Sequence, residues 1–216
     1  MVKKTENKGL DRFSLETSSQ RILLEEYRLL QERYSNARSE GVTRLNFFIT
    51  SASIALGGVL VFVSGKMALP LVYIKLIVLV TLILLSIIGL EIHNTLVFRD
   101  ITTDRYERGL ARIRHYFIKL DPQIKEYFVG KVTDIPTNFL IMKNSRMRRS
   151  AQIIIGFLLG LALTIIASFL PLPPEVDISI GIISVGIIYL ILEISARRRL
   201  GNALQIAQKE VRFNEQ

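Results

Sequence analysis

The chain of 216 residues contains no cysteine. Disulfides, thiolate metal sites and cysteine nucleophiles are therefore excluded together. Its two histidines, His93 and His115, are too few for a histidine-based metal cluster. Catalytic signatures are missing as well. There is no HExxH, no GxSxG, no glycine-rich phosphate loop, and no acid pair with a basic activator inside an apolar helix. No catalytic, cofactor-binding or metal residue is assigned, and a non-enzymatic protein is expected.

Charge is missing from two long stretches. The 21 residues from Leu45 to Gly65 and the 25 residues from Ser150 to Pro174 carry none. About 18 consecutive apolar residues cross a hydrocarbon core at 1.5 Å per residue. A third apolar run, Met67 to Leu90, is interrupted only by Lys75, whose stem can extend so that its ammonium reaches the headgroups. A fourth runs from Val176 to Ser195. Pro70 marks the turn after the first run. The segment around Pro171, Pro173 and Pro174 cannot continue a helix and separates the third run from the fourth. These runs predict an all-α integral membrane protein with four transmembrane helices in two hairpins, at about 45–92 and 150–196.

Lysine and arginine predict the sides. Of 28, nine lie in residues 1–44, twelve in 93–149 and five in 197–216; only Lys66 and Lys75 lie at the hairpin tips. Positive residues collect on the cytoplasmic side of short loops. A multi-pass protein of the plasma membrane with both termini and the 93–149 segment cytoplasmic is expected. In that setting the net charge of +9 is the charge of a membrane protein's inner side, and no recognition motif accompanies it. Nucleic acid is not an expected partner. No apolar core precedes Leu45, so no cleavable signal peptide is expected.

The flanking segments read as a helical cytoplasmic layer. Leu23, Tyr27, Leu30, Tyr34 and Ala37 form a short heptad seam, expected either to pack on the protein's own cytoplasmic part or to form a brief coiled coil between subunits. The seam belongs to one long helix, or two nearly collinear ones, from about Ser18 to Val63, with Gly41 the only weak point. Val97, Ile101, Leu110, Ile113, Phe117 and Leu120 continue the second helix as an apolar stripe. Asp121-Pro122 predicts a stop and a new start, with Asp121 as N-cap and a short helix over 123–129. Residues 131–138 read as loop. Residues 139–149 read as a basic amphipathic segment leading back to the membrane, and 197–216 as a C-terminal helix.

Four groups of residues are candidates for function. Asn46, Thr50, Ser53 and Gly57, continued by Ser64, share one face of the first span. Such faces meet protein rather than lipid; the alternatives are close helix packing and a water-lined pore. Gly156, Gly160, Thr164 and Ser168 form a small-residue ridge beginning with GxxxG, suited to backbone contact at a crossing near −40°. The fourth span, with Gly181, Ser184 and Gly186, or another copy of the chain could receive it. Glu91 and Glu193 are interfacial acids, within one turn of the expected membrane edge. They would pair with Arg99 or Arg197, form a cation-attracting ring at a pore mouth, or relay protons. Arg197, Arg198 and Arg199 are interfacial anchors. The strings Leu90-Glu91-Ile92 and Leu192-Glu193-Ile194 end the returning helices of the two hairpins and suggest two parallel units. His93 lies on a different face from Glu91 and reads as an interfacial side chain.

The layout resembles small bacterial membrane proteins with cytoplasmic helices, including predicted pore-forming effectors of antiviral defence systems. The expected function is self-association or partner binding through the cytoplasmic helices. The lipid bilayer, a second copy and a soluble cytoplasmic protein are the partners. An oligomeric ion-conducting pore or membrane-disrupting effector is the alternative, and an unrecognised membrane-embedded enzyme the third reading. Four spans are few for a secondary transporter.

Overall fold

A computed structural model describes residues 7–64, 70–143, 145–171 and 173–213. Lys66 lies outside the described residues, as do Lys3 and Lys4. The described residues form helices and connecting turns, with no strand among them. It comprises α1 (Asn7–Val63), α2 (Leu71–Leu120), a 3-10 turn (Pro122–Tyr127), α3 (Asn138–Met142), α4 (Arg146–Ala167) and α5 (Pro174–Lys209). Four of these, α1, α2, α4 and α5, are long and apolar enough to cross a membrane.

The long helices follow from an absence of breakers. No proline occurs within Asn7–Val63, so α1 runs 57 residues, about 85 Å at 1.5 Å per residue. It begins at Asn7 rather than near Ser18, because nothing between those residues stops a helix. α2 likewise passes Ile92 without interruption. Its apolar run and the following amphipathic stripe are one 50-residue helix. It starts after Pro70 and ends at Asp121, whose carboxylate accepts the Gln123 N–H at 3.0 Å ahead of Pro122. The expected short helix over 123–129 is a tighter 3-10 turn that stops at Tyr127. α5 opens on Pro174, with Glu175 and Asp177 in its first turn, where acidic groups complement the positive end of the helix dipole.

The expected continuous segment over 139–149 is broken. α3 ends at Lys143, which adopts the left-handed conformation (φ 50°). α4 then starts at Arg146, with Ser145 as N-cap residue. A buried arginine holds this reversal: an Arg148 guanidinium N–H donates to the Lys143 carbonyl.

α1 and α2 run antiparallel, since Gly41 meets Arg99 and Phe48 meets Gly89. α4 and α5 do the same, and α2 packs on α4 to join the two pairs. The core lies where α1, α2 and α4 converge: Leu45 and Phe48 against Leu82, Leu85, Ile92 and Leu96, with Ala151, Ile155 and Leu158 behind them. Gly89 makes this convergence. A methyl group there would lie 2.7 Å from both Phe48 Cζ and Ile155 Cγ1. α4 is the central helix: 44% of its apolar stretch is buried, against 17% in α1 and in α5. A smaller cluster of Leu140, Leu200 and Ala207, backed by Ile101, ties α3 and the end of α5 to α2.

Candidate functional site

The α1 seam meets α2 of the same chain. Leu23, Tyr27, Leu30, Tyr34 and Ala37 are all half-buried. Leu30 packs on Gly109, and the Tyr27 hydroxyl accepts from Arg114 at 3.2 Å.

About two turns further along, α1 buries Leu45, Phe48 and Ala52 and leaves the opposite side bare. Asn46, Thr50, Ser53 and Gly57 are all exposed, as is Ser64. Nothing lies within 4 Å of the place a methyl group would take on Gly57 or Gly58. The Ser53 hydroxyl bonds back to the Ile49 carbonyl at 2.8 Å. Asn46 and Thr50 make no side-chain hydrogen bond among the described residues.

The α4 ridge is covered. A methyl group at Gly160 would lie 2.5 Å from Val185 Cγ2 and 2.9 Å from the Gly181 carbonyl oxygen. One at Gly156 would lie 3.2 Å from the Val185 carbonyl oxygen. The Thr164 hydroxyl donates to the Gly160 carbonyl at 3.0 Å and sits against Gly181. At the end of the ridge, the Ser168 carbonyl accepts from Lys75 Nζ at 3.2 Å, with the Phe169 ring beside that ammonium. Lys75 thus caps the negative end of α4.

The two acids part company. Glu193 is buried, accepting from Arg197 at 2.6 Å and from Gln152 at 3.2 Å. Glu91 is exposed and has no ion-pair partner among the described residues. The expected Arg99 partner is engaged with Asp100 at 2.7 Å. Of the arginine run, Arg197 serves Glu193, Arg199 donates to Asn94 Oδ1 at 3.0 Å, and Arg198 is exposed. His93 is buried, and its Nδ1 has no hydrogen-bond partner among the described residues.

The charged end holds a set of side chains that the sequence reading passed over. Asp100, Asp104 and Arg108 lie four apart on α2, and all three are buried. Asp100 bridges Arg99 at 2.7 Å and Arg148 at 3.1 Å. Asp104 accepts from Arg108 at 2.9 Å and from the Thr137 N–H at 2.7 Å. Arg108 goes on to Glu210 at 3.1 Å. Asp134, fully buried, accepts from Arg112 at 2.8 Å and from the backbone N–H groups of Arg212 and Phe213. Burial alone pushes the Asp134 carboxyl up. The Arg112 guanidinium and the two backbone donors outweigh it and hold the group below the usual carboxylate range. These bonds fasten the 134–145 connection and the residues after α5 onto α2. Removing one partner of a buried pair leaves an uncompensated charge and costs about 3–5 kcal/mol.

Between α1, α2 and the start of α4 this network leaves a cleft of about 380 Å³, with Tyr34, Arg38, Arg99, Thr103, Thr137 and Arg146 among its walls. Among the described residues, no group of three or more His, Asp or Glu side chains could hold a metal ion. No family profile matches the chain, and no curated protein or solved structure is significantly similar to it.

Proposed function

We propose that the chain is a multi-pass protein of the cell membrane that self-associates through the outward face of α1, without catalysing a reaction. In this reading α1–α2 and α4–α5 are two transmembrane hairpins. The charged end, with both termini, faces the cytoplasm and offers the surface on which a soluble partner docks. The distribution of lysine and arginine supports that orientation.

The observation that carries the reading is the contrast between the two small-residue faces. Gly156, Gly160 and Thr164 are occupied by α5. Asn46, Thr50, Ser53 and Gly57 are equally small or polar and are bare. Lipid tails offer Asn46 and Thr50 no hydrogen-bond partner. Small residues at Gly57 and Gly58 let another backbone approach closely. A second copy supplies both the packing surface and the polar partners, since the same face on two subunits is self-complementary.

The experiment is a mass determination in nanodiscs of neutral lipid. The wild type is expected as a defined oligomer, and the Thr50→Leu, Gly57→Leu double variant as a folded monomer. A monomeric wild type contradicts the proposal. The polarity of the face favours one second reading, an oligomer whose hydroxyls line a conducting path. Single-channel current in planar bilayers, reduced by Thr50→Leu, would establish that reading. A silent oligomer leaves the interaction protein.

A further inference from the structure

The cleft at the charged end has an electrostatic asymmetry. Its two carboxylates, Asp100 and Asp104, are each committed to an arginine behind or beside them and, for Asp104, to a backbone N–H. Its arginines are not equally committed. Arg38 and Arg146 are exposed and have no ion-pair partner among the described residues. Arg99 spends one guanidinium nitrogen on the Met147 sulfur at 3.0 Å, a weak acceptor that an anionic oxygen outcompetes.

Two hydroxyls on the same walls lack partners. Thr137 is 3% exposed and Thr103 half-buried, yet Oγ1 of each is buried without a hydrogen bond. Buried polar atoms are nearly always satisfied, so two orphans in one cleft mark the place of an absent acceptor. Their backbones are fixed independently of those hydroxyls. Thr103 belongs to the unbroken α2, and the Thr137 N–H is held by Asp104.

We infer that this cleft binds a phosphate-bearing organic anion, taken by Arg38, Arg99 and Arg146 with the Thr103 and Thr137 hydroxyls as neutral donors. The two guanidinium forks of Arg38 and Arg146, the Arg99 nitrogen that now faces Met147, and two hydroxyls offer more donors than a carboxylate can accept. A phosphate group has the oxygens for them, and arginine meets it in bidentate fashion. A volume of about 380 Å³ exceeds the phosphate itself, and the Tyr34 and Met147 side chains leave apolar wall for what is attached to it. On the topology proposed above, Arg38 and Arg99 lie seven residues beyond Leu45 and Ile92, about 10 Å from the hydrocarbon edge. The phosphate can therefore belong either to a lipid headgroup or to a soluble phosphoester.

The test measures thermal stability of the full chain at physiological salt, where diffuse attraction is screened. Two probes separate the sources: inorganic pyrophosphate added to protein in neutral detergent, and nanodiscs of phosphatidylcholine with or without phosphatidic acid. Stabilisation by pyrophosphate identifies a soluble ligand. Stabilisation by phosphatidic acid alone identifies a headgroup. In either case Arg146→Gln and Thr137→Val are each expected to weaken apparent affinity by about tenfold or more. Neither replaced group holds the fold, so the variants without ligand should melt as the wild type does. Arg198→Gln removes the same charge from an exposed position outside the cleft and should leave affinity unchanged. Failure of both probes to stabilise the wild type overturns the inference, and so does an equal loss with Arg198→Gln. Neither outcome bears on self-association, which is read by mass.

Discussion

The two antiparallel helix pairs carry similar residues and use them differently. α4–α5 turns its ridge of Gly156, Gly160 and Thr164 inward against Gly181 and Val185. α1–α2 holds together through Phe48 in the hollow at Gly89 and leaves Asn46, Thr50, Ser53 and Gly57 bare. The acids repeat the pattern: Glu193 is buried between Gln152 and Arg197, whereas Glu91 is exposed and has no ion-pair partner among the described residues. A stripe of small and polar residues thus specifies close contact without specifying the partner. The stripe of the second pair is covered within the chain, and that of the first is exposed.

That contrast is sharpest at Gly160. Gly160→Leu forces a side chain into the space held by Val185 Cγ2 and the Gly181 carbonyl, and such overpacking costs on the order of 3 kcal/mol. Loss of thermal stability is expected; a variant as stable as the wild type would show that this seam is loose. Glu193→Ala comes next. It strands the buried Gln152 amide and should cost about 1–3 kcal/mol in a denaturation series. Gly57→Leu reverses the logic. Melting of the isolated subunit should stay near that of the wild type, while association weakens by about 1–2 kcal/mol, read from the concentration dependence of oligomer mass.

A smaller effect separates the charged end from both seams. The bonds at Asp134 favour its ionised form, so their contribution is complete above the ordinary value of 3.8. It is lost as pH falls through the lower folded value. Protection of the Arg212 and Phe213 amides against exchange, relative to the unstructured rate at each pH, should therefore fall first on acidification below about pH 4, ahead of the core of α4. Smallest of all is Glu91→Gln, expected to change stability by less than about 0.5 kcal/mol. A larger loss would mean that Glu91 is paired in the assembled protein.

Much of the architecture was legible in the sequence because it depends on local rules. Two charge-free runs, and two apolar runs broken only by Lys75 and by Asp177 and Glu193, marked the four apolar helices, and Asp121-Pro122 marked the end of α2. The start of α1 at Asn7 was missed because no signal in the sequence distinguishes an early helical turn from a polar tail. The break at Lys143 depends on Arg148 reaching back to its carbonyl, a contact no periodicity announces. The charged network was partly visible, since Asp100, Asp104 and Arg108 stand four apart on a helical face. Charges so spaced are ordinarily solvated. What meets these is the arrival of Thr137, Arg148 and Glu210 from distant parts of the chain. The α1 and α4 stripes could not be told apart by sequence, because both place small and polar residues on one helical face and only the position of α5 differs.

The absence of cysteine makes the outward face of α1 directly measurable. Single cysteines placed at Thr50, Ser53 and Gly57 and oxidised in native membranes should each yield a covalent dimer. Cysteines at Val80 on α2 and Ile191 on α5, equally exposed on apolar stretches, should yield none. Cross-linking at Val80 or Ile191 with none along α1, or no cross-linking at any position, would contradict self-association through this face.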